Sequence, residues 1–449
     1  MKRALLINPP IHDFAAFDLW MKPLGLLYVG AALEAAGWEV DLLDCLDRFH
    51  PDCPAPPSKT QPRLQPLGCG SFLSEEIPRP KALADVPRPY HRYGLSVPVI
   101  QKELAQRLPP DAIAVTSMMT YWYPGVFEVI RLAKETFPGV PVVLGGVYAT
   151  LCPDHAKANS GADHVLAGPA ERGLGDLLRE IGAELGEVDW GALMPAYHLM
   201  RRVTSVSVLT SRGCPFGCTY CASPKLWPAF TQRDVDDVVA EVETLTNQFG
   251  VIDVAFYDDA LLINAQSHII PILRELRRRR PKLRFHTPNG LHARMIDEEM
   301  ARELYESNFA TIRLSFETAS EQRQIDSKRK ISNEDLRRVI RYLLAAGYSH
   351  REIEVYVMMG LPRQETAEVE DTLRFVHDCG GWIKIAQYSP IPGTVEFERA
   401  VEVNPAIRHE PVLHNNTLFS AAGGPGRFAE FQQIKDLANR LNRGLPKPA

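Results

Sequence analysis

Short apolar runs alternate with segments of helical period along most of this 449-residue chain, and that alternation leaves few architectures open. A strand followed by a crossover helix returns the chain to the same sheet edge, so repeated βα units build parallel sheets. Over residues 1–185 the expected strands are Ala4–Asn8, Val40–Asp44, Ala112–Met118, Val142–Gly146 and His164–Gly168. A helix opening at Pro23 carries Leu24, Leu27, Ala31 and Leu33 at helical spacing until Gly37 stops it, and further helices fall at Gly125–Thr136 and Ala170–Ile181. The fold class is α/β, beginning with a doubly wound parallel sheet. Residues 186–202 read as a linker. A second βα series then spans 203–400, with strands at Val203–Leu209, Asp253–Tyr257, Arg284–Thr287, Thr311–Phe316, Glu352–Met358 and Ile383–Tyr388. Its helices fall near Val235–Phe249, Ser267–Arg280, Asp297–Ser307, Asn333–Ala346 and Ala367–Asp378. This series fits a partial (β/α)6 TIM-like barrel, with residues 401–449 forming a C-terminal cap that includes an amphipathic helix near Phe428–Leu441.

One segment breaks the alternation. From about Pro51 to Tyr93 the chain is rich in proline and turn residues, and it is expected to be an inserted arm lying over a neighbouring surface. The run Arg277–Arg280 closes an expected helix, where cations complement the helix dipole, and reads as a solvated helix end.

Composition excludes several classes. Hydrophobic content of 45% and charged content of 23% are those of a globular protein, and a net charge of −5 offers no general attraction to nucleic acid or anionic membrane. No stretch approaches the roughly 18 apolar residues of a membrane span, and the amino-terminal apolar run is too short for a secretion signal. The expected location is cytoplasmic. In such a reducing compartment Cys45, Cys53, Cys69, Cys152 and Cys379, which show no pairing pattern, are expected as free thiols.

The other three cysteines carry chemistry. Cys214, Cys218 and Cys221 lie within eight residues in the spacing C-x3-C-x2-C, directly after an expected barrel strand. Such clustered thiolates select iron–sulfur clusters, zinc or Cu(I). A structural zinc site usually has a fourth protein ligand and a second knuckle, and no second knuckle follows. Barrel active sites sit at the carboxyl ends of the strands, where this loop falls. Phe256-Tyr-Asp-Asp-Ala260, Arg313–Thr318, Gly360-Leu-Pro362 and Tyr388–Thr394 end other strands of the same series. In the first sheet the carboxyl edge carries Asn8, Ser117, Gly145 and Gly146, the place where doubly wound sheets bind ligands. No residue reads as a general acid, base or nucleophile.

The run Ser211–Ser223, with Tyr220 before its last cysteine, resembles the signature of radical S-adenosylmethionine (radical SAM) enzymes. The resemblance implies a 4Fe-4S cluster on Cys214, Cys218 and Cys221, with one iron open to the methionine end of SAM. It further implies SAM contacts from Asp258 or Asp259, from Ser315 and Glu317, and from the turn at Gly360. Ser315 and Glu317 are placed on one strand face by the alternation of side chains. The amino-terminal region resembles the cobalamin-binding domain preceding the barrel in one class of these enzymes, through Leu6-Ile-Asn-Pro-Pro10, Pro23–Gly37 and Gly145–Thr150. The implied corrin site includes Asn8, Ser117, Gly145 and Gly146. The cobalt-ligating motif D-x-H-x-x-G is absent, since Asp154-His155 lacks its spacing.

Together these resemblances imply methylation of an unactivated carbon by way of a 5′-deoxyadenosyl radical and methylcobalamin. Alternatives on the same reading are cobalamin-dependent ring formation or rearrangement, and cobalamin-free chemistry such as methylthiolation. The implied partners are a small-molecule or peptide substrate and a reductant such as flavodoxin or ferredoxin.

Overall fold

Six apolar-centred residues, Arg3–Asn8, form the central strand β1, with Leu5, Leu6 and Ile7 almost wholly buried. The computed structural model describes residues 1–52, 67–328 and 331–446. These fall into two units, one of 1–204 with 409–413, the other of 205–408 with 414–449.

In the first unit β1 pairs in parallel with β2 (Glu39–Asp44) on one side and β3 (Ala112–Val115) on the other; β4 (Val142–Leu144) and β5 (His164–Val165) extend the sheet. The spatial order β5-β4-β3-β1-β2 is that of a doubly wound sheet, and it reverses direction between β1 and β3. Helices Leu24–Ala35, Val97–Ala105, Tyr123–Thr136 and Ala170–Glu180 complete the alternation. The expected strands were read too long at their carboxyl ends. The chain leaves the sheet after Val115, Leu144 and Val165, so Ser117, Gly145 and Gly168 lie in the loops above the edge. The nine-residue helix Val97–Ala105 escaped the periodic reading because it is short and follows the irregular arm.

The described part of the arm is built into the first unit. Gly70–Ser71 pairs with Phe17–Asp18, and His91–Tyr93 lies between Ser74–Glu76 and Ile11–Asp13. Arg48, held by Asp18 at 2.9 Å, donates to the arm's Gly68 and Cys69 carbonyls at 3.4 and 3.5 Å, and Trp20 Nε1 donates to the Leu67 carbonyl at 2.6 Å. Cys69 is buried there, whereas Cys53 lies outside the described residues.

The second unit is an open barrel of six parallel strands in chain order: β6 (Val206–Val208), β7 (Asp253–Phe256), β8 (Arg284–His286), β9 (Phe309–Glu317), β10 (Ile353–Met359) and β11 (Trp382–Gln387). A two-residue strand, Leu291–His292, also pairs with β9. Phe256, Phe285 and Phe309 stack across adjacent strands with ring centroids 5.4–6.0 Å apart, and such aromatic contacts stabilise beyond the area they bury. Helix Val235–Phe249 starts at Asp234, whose side chain accepts from the Asp236 amide, and stops at Gly250, which takes φ +65°. Arg277, Arg278 and Arg279 pair with Glu306, Glu275 and Glu243, as a solvated helix end should. The final helix Phe428–Gly444 runs beside β11, where Asn442 accepts from the Ile383 amide at 2.8 Å and donates to its carbonyl at 2.9 Å. No helix among the described residues is long and apolar enough to cross a membrane.

Candidate active site

After β6 the chain forms a short antiparallel pair, Ser211–Arg212 with Thr231–Gln232, and then turns into the cysteine loop. Gly213 makes the turn at φ +76°, and a Cβ there would lie 2.7 Å from the Ala229 carbonyl oxygen, so only glycine fits. Cys214, Cys218 and Cys221 form no disulfide, and the Cys221 amide donates to the Cys218 carbonyl at 3.2 Å. Cys221 is exposed as a residue, yet atoms crowded round its sulfur, followed by Asp259 and the thiols of Cys218 and Cys214, push its thiol up to about 11. That mutual proximity fits a shared cationic centre, which would favour the thiolate forms. Phe216 in the loop stacks on His292 with centroids 4.1 Å apart.

The residues expected around SAM fall near this loop in different ways. Asp258 and Asp259 lie just past β7, after Tyr257. Both carboxyls are pushed up by burial, against hydrogen bonds that pull them down. Asp258 accepts from the amides and hydroxyls of Thr210 and Ser211, with Thr210 Oγ1 at 2.7 Å and Ser211 N at 2.6 Å. Asp259 accepts from the Ser223 hydroxyl. Ser315 is buried in β9 beside Gly290, where any Cβ would collide with its hydroxyl.

Glu317 departs from the expected alternation. The pairing of β9 with β10 shifts register between Ser315 and Glu317, and Glu317 has φ +75°. A bulge ends the period of two, so the alternation that placed both side chains on one face does not hold. Glu317 instead lines a cleft with Thr219, Tyr220, Arg323, Glu396 and Arg399. In that cleft Arg323 is held by Glu368 at 2.6 and 2.9 Å, and Glu396 by Arg399 at 2.7 Å. Gly360 turns at φ +95° against the Phe419 ring, which a Cβ would approach to 2.8 Å.

Polar residues at and just beyond the end of β8 make structural contacts. His286 is fully buried and meets Asp253 Oδ1 at 2.9 Å, while Asn289 donates to the carbonyls of Tyr257 and Asp258 at 2.8 and 3.3 Å. The sequence reading missed Arg323, Glu396, His292 and the hydroxyls Thr210, Ser211 and Ser223. The available signal was the bracketing of the cysteine run by Thr-Ser and Ser.

At the first unit's carboxyl edge, Asn8 Nδ2 donates to Asp44 Oδ1 at 2.7 Å, and burial pushes the Asp44 carboxyl up to about 6. Ser117 Oγ donates to the Gly145 carbonyl at 2.6 Å. Gly146 has φ +93°, and a Cβ there would collide with the Ser117 backbone. Beside Gly145 the nearest atom to a Cβ would be 3.9 Å away, and beside Gly168 none lies within 4 Å. The backbone at Gly145 and Gly168 is therefore open to close approach by a ligand. His155 is engaged elsewhere, with Nδ1 2.6 Å from the Tyr148 hydroxyl.

Each of the two units contains a match to a known family. Residues 208–376 match the radical SAM superfamily and residues 96–178 match the B12 binding domain. The chain is 23% identical to cytidylyl-2-hydroxyethylphosphonate methyltransferase of Streptomyces wedmorensis, over 98% of this chain and 89% of that protein. It is 24% identical to the anaerobic magnesium-protoporphyrin IX monomethyl ester cyclase of Cereibacter sphaeroides, over 66% of this chain and 54% of that one. Among solved structures, the radical SAM methyltransferase TsrM from Kitasatospora setae shares the fold, with a TM-score of 0.66 at 18% identity, covering 98% of this chain and 89% of that one. The chain is a radical SAM superfamily enzyme with an amino-terminal B12 binding domain.

Proposed function

We propose that this enzyme is a cobalamin-dependent methyltransferase acting on an unactivated carbon of a small-molecule or peptide substrate. The observation that carries the reading is the presence, on one chain, of a radical SAM superfamily domain and a B12 binding domain. Cys214, Cys218 and Cys221 hold the 4Fe-4S cluster. When bound, cluster, SAM and cobalamin supply one-electron cleavage of SAM and a transferable methyl group. The chain's own part is to grip and orient. Ser315 and Glu317 hold the polar ends of SAM, and the turn at Gly360 lets backbone approach it. Asn8, Ser117, Gly145 and Gly146 would line the corrin, and none of them is a histidine that could bind the metal. The cyclase relative supports ring formation as a second reading. A flavodoxin or ferredoxin serves as reductant.

The test is anaerobic purification with hydroxocobalamin and reconstitution with iron and sulfide. The expected result is about four irons per chain, bound by the cysteine loop and lost in the triple Cys→Ala variant. Corrin should be retained, with a Co(II) resonance free of axial-nitrogen splitting. Incubation with a reductant and methyl-labelled SAM should yield 5′-deoxyadenosine and, with the true substrate, a product in which one hydrogen is replaced by the labelled methyl group. Failure to retain corrin would refute the methyltransferase reading, and a product lighter by two hydrogens would favour ring formation.

A further inference from the structure

The cysteine loop is held from outside itself, at both ends, by two consecutive side chains. Asp258 lies 48 and 47 positions from Thr210 and Ser211, and it receives two backbone amides and two hydroxyls from them. Ser211 stands three residues before Cys214. Asp259 receives the hydroxyl of Ser223, two residues after Cys221, whose own amide points at the Cys221 sulfur at 3.4 Å. Asp258 and Asp259 lie past the end of β7, where the chain bends, and their neighbouring carboxylates reach the two ends of one loop. The turn carrying them is itself fixed, because Asn289 donates to the carbonyls of Tyr257 and Asp258. The clamp therefore runs from β8 to β7 to the loop; Asp258, Thr210, Ser211 and Ser223 are buried, while Asp259 is exposed as a residue and reaches the buried Ser223 hydroxyl.

We infer that Asp258 and Asp259 are positioning residues that clamp the entry and exit of the cysteine loop and so preset its three thiols for the cluster. This rests on the cluster assignment to Cys214, Cys218 and Cys221. A loop ordered only by its metal would lose conformational entropy on every loading, whereas a loop held in advance has already lost it. The role differs from a grip on the SAM ammonium. Asp258 already receives donors from the chain entering the loop, and Asp259 has its nearest partner on the chain leaving it.

The two roles separate in the absence of SAM. Wild type, Asp258→Asn, Asp259→Asn, Ser223→Ala and the double Asp259→Asn, Ser223→Ala variant are reconstituted anaerobically without SAM. Iron content, the rate of iron release to ferrozine and the electron paramagnetic resonance of the dithionite-reduced cluster are then compared. Thermal melting of the iron-free proteins identifies any variant that fails to fold. The clamp predicts release at least about tenfold faster in Asp259→Asn and in Ser223→Ala, the loss of one charge-assisted hydrogen bond. The double variant should be no worse than either single change, and the reduced-cluster resonance of Asp258→Asn should be shifted. Ser223→Ala is the mildest change and keeps the test open should Asp258→Asn misfold. Wild-type release rates and resonances in all variants, with weakened SAM titration in the aspartate variants, would overturn the clamp and place the carboxylates on SAM. A wild-type protein that takes up no iron would overturn the cluster assignment, and the clamp with it.

Discussion

Glu317 occupies the left-handed region at φ +75°, a conformation that costs a residue bearing a Cβ about 1 kcal/mol or more. It does so at the end of β9, where the register shift delivers its carboxylate into the cleft beside Tyr220 and Arg323. Strain kept at a strand end beside the cysteine loop motivates a test of Glu317 as a SAM contact. Glycine relieves the backbone and alanine does not, so the two substitutions separate fold from function. Glu317→Gly should be more stable than Glu317→Ala by about 1 kcal/mol in urea denaturation. Both should weaken SAM binding by about tenfold or more, read from the SAM-induced change in the cluster's spectrum. Equal stability of the two variants would remove the strain argument, and unchanged SAM affinity would remove the contact.

At the scale of elements, the open barrel leaves β11 as an edge strand, and edges invite unwanted pairing. The final helix manages this edge through Asn442, which satisfies both the amide and the carbonyl of Ile383. Asn442 is buried, so its removal leaves those backbone groups unpaired and shielded from water. Asn442→Ala should lower the stability of this region by about 2 kcal/mol, visible as faster hydrogen exchange at Ile383 and its neighbours. Unchanged exchange there would show that the helix covers the edge by apolar packing alone. Phe431, Ile434, Leu437 and Ala438 form its buried stripe, legible beforehand as the amphipathic pattern near Phe428–Leu441.

Across the whole molecule a net charge of −5 hides acids with opposite responses to pH. Asp44, fully buried beside Asn8, has its carboxyl raised from 3.8 to about 6, first by burial. Its folded form therefore binds a proton more tightly than the unfolded chain. The stability it contributes is full below about pH 4 and lost as pH rises through 6, up to about 3 kcal/mol. Glu128 behaves in the opposite sense. The nearby His12 ring and the hydrogen bonds from Arg92 outweigh its burial and lower it to about 2, so its contribution is present above about pH 4.5 and lost as pH falls toward 2. Asp44→Asn retains an acceptor for Asn8 and removes the first effect. Hydrogen exchange of the amides from Leu42 to Cys45 should be slower in this variant than in wild type at pH 7, with the difference gone at pH 4. A difference that persists at pH 4 would show that the substitution acts through packing.

Local patterning was enough for several features. The helices Val235–Phe249 and Asn333–Ala346 were read to the residue because apolar period, capping side chain and terminal glycine lie within a few positions of each other, as with Ser332 and Gly347. The cysteine motif was legible for the same reason, since its spacing is contained in one loop. The βα alternation likewise implied parallel sheets, because chirality and short connections leave the crossover little choice. Tertiary structure alone decided the rest. The strands end earlier than their apolar runs because the sheet stops where neighbouring strands stop pairing, as at Val115 and Leu144. The bulge before Glu317 depends on register with β10, some forty residues away. Asp258 and Asp259 read as possible ligand contacts in isolation, and only folding brought Thr210, Ser211 and Ser223 to them. Hydrogen-bond partners distant in sequence leave no periodic trace, because their proximity is set by the packing of the intervening elements rather than by spacing along the chain.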